Sequence, residues 1–322
     1  MKNFKFLILF LSLITIFEIT NSKDAHAGAC TVTNGVYSET EIKNGCDAQP
    51  DFYEIVIFEM YLCTAAPTIP TVTATVDLTS CSQIFNNAAG STANVAQGAS
   101  VDLTGTYTRP PDGTYTHGYA RMDNTFGITA SIEIDGSMDG QASGSGVFCR
   151  TISGSGSQTK ASGSHDDESV CSASAVTGAK YTETLTHFGG SGDDWTRVAE
   201  AAPTAGASIK GILVDSNGHL AANEGEVVKL EGLVGFANAI QVTPNTTSLT
   251  MSFNLSEGMH LNSAGDDKIY MGSGPFEAIK VTPDTTSLTM SFNLSEGMSL
   301  NSAGADKIYI GSGPFEAIMT AN

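Results

Sequence analysis

No cysteine follows Cys171, and none of the six in the chain belongs to a Cys-x-x-Cys pair. Zinc ribbons and thioredoxin-type redox sites therefore have no ligands here. Basic residues are scarce too, with 15 Lys and Arg against 34 Asp and Glu. Nucleic-acid binders need a basic footprint, and anionic lipid surfaces repel so acidic a chain. Gly and Ser are abundant, yet there is no Gly-x-Ser-x-Gly, no His-Glu-x-x-His, no Gly-Lys dipeptide and no Gly-x-Gly-x-x-Gly. The common hydrolase, metalloprotease and nucleotide-binding signatures are thus all missing. Beyond the first twenty residues no stretch keeps a 3.6-residue apolar period, which argues against a helical protein.

What is present begins with an export signal. Lys2 and Lys5 precede an apolar run from Phe6 to Phe17, broken only by Ser12 and Thr15, and Ala25-His26-Ala27 offers small residues at the two positions a signal peptidase reads. About a dozen residues is short of the ~20 needed to span a bilayer, so residues 1–27 read as a cleaved signal peptide. Cleavage removes three basic and two acidic residues, leaving 12 basic against 32 acidic, a net charge of −20. Charge of that size favours solubility in an extracellular medium. An exported chain with an even cysteine count most simply forms disulfides, and the candidates are Cys30, Cys46, Cys63, Cys81, Cys149 and Cys171. Lipidation of Cys30 would leave an odd number of thiols, and Ala27 stands where a lipobox has Leu. Pairing of sequence neighbours, 30 with 46, 63 with 81 and 149 with 171, is the preferred connectivity.

The remaining pattern is β throughout. Phe52–Leu62 is nearly continuous in aromatic and β-branched residues, as in a central strand. Tyr115, His117 and Tyr119 alternate with small residues. Phe126, Ile128, Ala130, Ile132 and Ile134 fall on one face of a strand that Asp135-Gly136 is expected to close. Residues 28–188 accordingly read as a disulfide-stapled N-terminal β-sandwich. Within it, 136–164 holds seven Gly and eight Ser and is expected to be a flexible loop tied by Cys149 and Cys171. Residues 189–207, with the single tryptophan Trp195, read as a linker.

The C-terminal third is repetitive. Residues 241–279 and 280–318 are one 39-residue segment written twice, differing only at Gln241/Lys280, Asn245/Asp284, His260/Ser299, Asp266/Ala305 and Met271/Ile310. A degenerate copy over 208–240 matches at an offset of 40, with Leu213 against Phe253 and Gly218 against Gly258. Each unit suggests short strands; in the second copy these are Ser287–Leu294, Met298–Leu300, Lys307–Ile310 and Phe315–Met319, separated by turn residues. A duplicated packing unit needs only a neighbour to stack on, so 208–322 reads as β-rich tandem repeats, Ig-like or sandwich-like. The tandem units resemble, in pattern, the β-sandwich modules of bacterial surface proteins, and that resemblance implies a structural or adhesive role.

No residue is proposed as catalytic or as a cofactor ligand. His117, His165, His187, His219 and His260 are scattered, and His260 is already Ser299 in its duplicate. Asp215, Asn217 and Glu226 match three positions of a calcium loop, but His219 and Leu220 stand where an acid or amide and the glycine belong, so Asn217-Gly218 reads better as a hairpin turn. The acid runs His165-Asp-Asp-Glu168, Asp193-Asp194 and Asp266-Asp267 read as exposed. The leading expectation is an exported, non-enzymatic structural or adhesive β protein at the cell surface or outside the cell, whose partners are itself or other surface proteins. The alternative is a periplasmic or secreted module binding a glycan or calcium through the N-terminal aromatic strands. Neither reading involves nucleic acid or membrane insertion of the mature chain.

Overall fold

The computed structural model describes residues 29–96, 101–158, 168–188, 196–201 and 208–246. In the repeats it describes 252–254, 259–263, 267–273, 277–278, 291–292, 298–302 and 308–312. The residues read as a signal peptide, 1–27, and Trp195 lie outside the described residues.

Among the described residues the chain is all-β apart from α1 (Glu39–Asn44) and a 3-10 turn at Glu224–Glu226. Glu39 and Glu41 in the first turn of α1 and Lys43 in its last complement the helix dipole, and Ile42 is its buried anchor. Along the chain run β1 (Cys46–Ala48), β2 (Phe52–Cys63), β3 (Cys81–Val95), β4 (Gly113–Asp123), β5 (Thr125–Thr129) and β6 (Ser131–Gly140). Then come β7 (Ser145–Thr151), β8 (Gly154–Gln158), β9 (Ser169–Ser172), β10 (Tyr181–Leu185), β11 (Val198–Ala201), β12 (Ser208–Val214) and β13 (Lys229–Val242). The two near-identical repeats supply β14 (Ser252–Asn254), β15 (Met259–Ser263) and β16 (Lys268–Ser273), then β17 (Ser291–Phe292), β18 (Met298–Ser302) and β19 (Ile308–Ser312).

Two large sheets hold most of these strands. The ten-stranded sheet runs β8-β10-β5-β2-β4-β13-β12-β11, with β3 on β2 and Thr106–Tyr107 on β3. The eight-stranded sheet runs from Val32–Thr33 and Val36–Tyr37 through β6, β16, β15 and β1, with β7 and then β9 added beside β6. One hydrophobic cluster joins them, with Ile55, Ile57, Phe85 and Ile128 from the larger sheet and Ile132, Ile134 and Met138 from the smaller, and a second, around Tyr119, Ile212 and Leu233, belongs to the larger sheet. Each such side chain, fully buried, contributes roughly 1.5–3 kcal/mol.

Local details follow from the sequence. β2 is the central strand its composition indicates, and a register shift between Ile57 and Glu59 changes its inward set from Ile55 and Ile57 to Met60 and Leu62. The alternating residues Phe126 to Ile134 are all buried, but the chain changes sheets midway. Phe126 and Ile128 belong to β5 in one sheet, Ile132 and Ile134 to β6 in the other. Ala130 and Thr151 lock that corner: each backbone amide is bonded 3.0 Å away, Ala130 to the Thr151 hydroxyl and Thr151 to the Ala130 carbonyl. β6 also passes the expected stop at Asp135-Gly136 and continues to Gly140.

The expected loop at 136–164 is largely strand. Its first part finishes β6, and β7 and β8 follow; residues 159–167 lie outside the described set. The glycines serve close packing: a Cβ on Gly140 would stand 2.6 Å from the Val170 Cα, and one on Gly144 2.2 Å from the Cys171 carbonyl oxygen. The region read as a linker contributes β11, the edge strand paired with β12. β12 and β13 then extend the same sheet as β2 and β4, so strands before and after 189–207 share both sheets.

All three disulfides join sequence neighbours: Cys30–Cys46, Cys63–Cys81 and Cys149–Cys171. The last two lie at paired positions across β2–β3 and β7–β9. Separations of 16, 18 and 22 residues correspond to about 3 kcal/mol each through constraint of the unfolded chain.

Candidate functional site

The most polar part of the interior is the seam where the first repeat enters the smaller sheet. β15 pairs antiparallel with β1, placing His260 opposite Asp47, and β16 runs parallel to β6 at Asp139 and Gly140. Within the hairpin His260 pairs with Gly272 and Asn262 with Tyr270. Cross-strand partners share a face, so Asp47, His260, Asn262 and Tyr270 form one polar stripe.

His260 Nδ1 lies 2.8 Å from Asp47 Oδ1, and the two residues are 0% and 3% exposed. The Tyr270 hydroxyl donates to Glu183 Oε1 at 2.8 Å, tying the hairpin to β10 of the other sheet. Glu168 Oε1 accepts from the Met271 amide at 3.4 Å, and the Ser169 hydroxyl donates to the Ile269 carbonyl at 2.7 Å. At the rim Lys43 bridges Glu39 and Asp267 at 2.8 and 2.5 Å, and the two carboxylates push its pKa up to about 12. Tyr270 lies over Gly272, whose missing Cβ leaves room for the phenol ring.

A second polar cluster lies on the ten-stranded sheet. Glu59, Arg121 and Glu231 stand at paired positions on β2, β4 and β13 and form a row across three strands. Arg121 donates to Glu231 Oε1 from Nη2 at 2.8 Å and from Nε at 3.1 Å, and its Nη1 is 3.8 Å from Glu59 Oε2. Burial pushes the Glu231 carboxyl above its ordinary pKa despite the guanidinium beside it. Burial also opposes the charge of Arg121, but Tyr119, Glu231 and Glu59 outweigh it and hold the guanidinium above its ordinary value. The Tyr119 hydroxyl is pushed up, chiefly by burial. Tyr61 packs edge-on against Tyr119 with centroids 5.6 Å apart, and Gln83 donates to the Tyr61 hydroxyl at 2.9 Å.

No protein-family model, curated protein or solved structure matches the chain.

What the two clusters do is therefore judged from geometry alone. The His260–Asp47 pair has the chemistry of a general-base dyad, but both groups are buried and its near-identical repeat carries Ser299 instead of His. Its evident effect is to fasten β15 to β1. The Arg121 row is closed at one end only: Glu231 is fully buried and a Cβ on Gly218 would lie 3.2 Å from Arg121 Nη2, while the Arg121 and Glu59 side chains stay 28% and 26% exposed.

The residues singled out in the sequence are dispersed. His117 lies on β4, His187 follows β10 outside any strand, His219 sits in the turn after β12, and His165 is outside the described residues. Asp215 Oδ1 accepts from the amides of Asn217 and His219 at 2.8 and 2.9 Å, closing its own turn. Glu226 accepts instead from the Ala222 amide and the Asn223 side chain. No group of three or more His, Cys, Asp or Glu with metal-holding geometry occurs among the described residues. Glu168, expected in an exposed acid run, is fully buried; Asp267 is exposed, and Asp193, Asp194 and Asp266 lie outside the described residues. The aromatic strands turn Tyr53, Tyr115, Tyr119 and Phe126 inward; among the described residues Phe52 and Tyr107 are the exposed rings, 43% and 47% accessible, and Phe58 and Tyr61 are half-buried. Arg121, Glu231, Asp47 and Glu183 carry no motif, although Glu231 interrupts the apolar run Leu230–Phe236, the signal of a charge held inside a sheet.

Proposed function

We propose that the protein is an exported, non-enzymatic structural or adhesive protein, with a disulfide-held sandwich-like body and tandem repeats that act as packing units through which copies assemble. The observation that supports this reading best is the fate of the first repeat. Its hairpin β15–β16 is an internal piece of the eight-stranded sheet, so what the sequence duplicates is a packing element. The three disulfides suit an oxidising extracellular or periplasmic compartment, and no helix among the described residues is long and apolar enough to cross a membrane. The inward aromatic strands offer little to a glycan, which weighs against the binding-module alternative.

Cell fractionation combined with surface imaging tests the proposal. A surface coat, fibre or oligomer that retains the protein at the cell exterior is the expected result. A freely soluble monomer in the periplasm or medium would overturn it and favour the binding module.

A further inference from the structure

The smaller sheet has one slot for a repeat hairpin, bounded by β1 and β6, and the chain carries two such hairpins. They are the same object locally. β15 and β16 pair from Met259↔Ser273 to Ser263↔Ile269, and β18 and β19 pair from Met298↔Ser312 to Ser302↔Ile308, the same register shifted by 39 residues. The first hairpin has both outer edges engaged, β15 by β1 and β16 by β6, and residues 259–262 and 269–271 are all buried. Consecutive buried residues mean that both faces are covered, so this sequence is suited to the middle of a protein. The second hairpin forms a sheet of two strands only among the described residues. A two-stranded hairpin alone in water is marginal at best, and free edges invite further strands.

Resting on the assembly reading above, we propose that the second-repeat hairpin is a homodimerisation element, with β18 pairing edge to edge and antiparallel with β18 of a second copy of this chain across a two-fold axis. The first repeat shows which edge is suited to this. The outer edge of β15 takes an antiparallel partner, whereas that of β16 takes a parallel one. A two-fold axis normal to a sheet brings like edges together antiparallel, so the β18 edge is the one that can pair with itself. The differences between the copies point the same way. His260, which meets the Asp47 carboxylate across that edge at 2.8 Å, becomes Ser299, a small hydroxyl compatible with an identical strand. Asp266 becomes Ala305, removing a charge next to the hairpin, and Met271 becomes the β-branched Ile310. Charges discourage edge pairing and β-branched residues favour strands, so the last two changes make the second hairpin more prone to pair with itself than the first, and Ser299 removes the side chain matched to Asp47.

Variants of the full exported chain that introduce a charge at Ser299, disulfides intact, test the symmetry directly. Ser299→Lys and Ser299→Asp each place two like charges close to the two-fold axis, and each should weaken self-association at least tenfold in sedimentation across a concentration series. An equimolar mixture of the two should recover it as a heterodimer, because the charges then oppose. The chain lacking 280–318, with the first hairpin still in its slot, should be monomeric and serves as a second variant should the charged chains fold poorly. Self-association that survives both charged variants and the deletion overturns this inference while leaving assembly by some other surface. A wild-type chain that stays monomeric at every concentration overturns both.

Discussion

His260 is the residue that most clearly separates the two repeats in the structure. Converting it to the residue of the second copy, His260→Ser, takes the imidazole from a buried carboxylate that it meets at 2.8 Å. The expected loss is about 1–3 kcal/mol of unfolding free energy by urea titration, as for other buried polar groups deprived of a partner; a change within experimental error would mean that the pair does not secure the seam. Glu231 gives a complementary test. Its folded-state pKa is raised above the ordinary 4.5, so the folded protein takes up this proton at a higher pH than the unfolded chain. Ionised Glu231 therefore costs stability at neutral pH. That cost shrinks as pH falls through the folded-state titration and is gone once the unfolded chain is protonated as well. The stability of the wild type relative to Glu231→Gln should rise as pH falls from neutrality towards the ordinary carboxyl value of 4.5, and a flat difference would place the titration elsewhere. Because it is a difference between two chains, the contributions of the other carboxylates cancel.

At the level of elements, apolar alternation made the strands legible and left their assignment to sheets open. The face running from Phe126 to Ile134 is correct residue by residue, yet nothing in that alternation marks Ala130 as the point where the chain changes sheets. The Gly/Ser-rich stretch misled for a physical reason. Gly and Ser at high density usually indicate a flexible segment. Here they allow β7 and its flanking turn to approach β9 more closely than any Cβ permits. Gly144, with φ +79 and a Cβ position 2.2 Å from the Cys171 carbonyl oxygen, combines both constraints; Gly35, with φ +86 and nothing within 4 Å, has only the backbone one. Gly35→Ala should cost about 1–2 kcal/mol, the usual penalty of left-handed backbone for an L-residue. Gly144→Ala should cost clearly more, because the atom it meets belongs to the backbone of a disulfide-linked strand. Thermal unfolding of the two variants side by side checks the ranking, and equal losses would show that β9 can yield. The Asp47–His260 and Tyr270–Glu183 contacts were illegible for another reason: they join residues 213 and 87 positions apart, and no local pattern carries such pairings.

For the whole molecule, the repeats matter because the body of the protein is incomplete without one of them and has a place for only one. Removing 280–318 or removing 241–279 leaves chains of equal length that differ at five positions, those that distinguish the copies. In the first, the native hairpin keeps its slot. In the second, residues 298–312 follow β13 at the distance the first hairpin had, and they carry the same register. Both chains should fold with all three disulfides formed. The chain that keeps the second copy should be less stable by about 1–3 kcal/mol, since Ser replaces His opposite Asp47. Both should also be monomeric, because filling the slot uses their only copy of the repeat hairpin, whereas the natural chain with two copies is expected to self-associate. Urea unfolding and sedimentation of the pair check this together. If the chain lacking 241–279 fails to fold, the second hairpin is not competent for the slot and the copies are not interchangeable packing units. If either single-repeat chain dimerises as well as the full chain, self-association does not depend on a surplus hairpin.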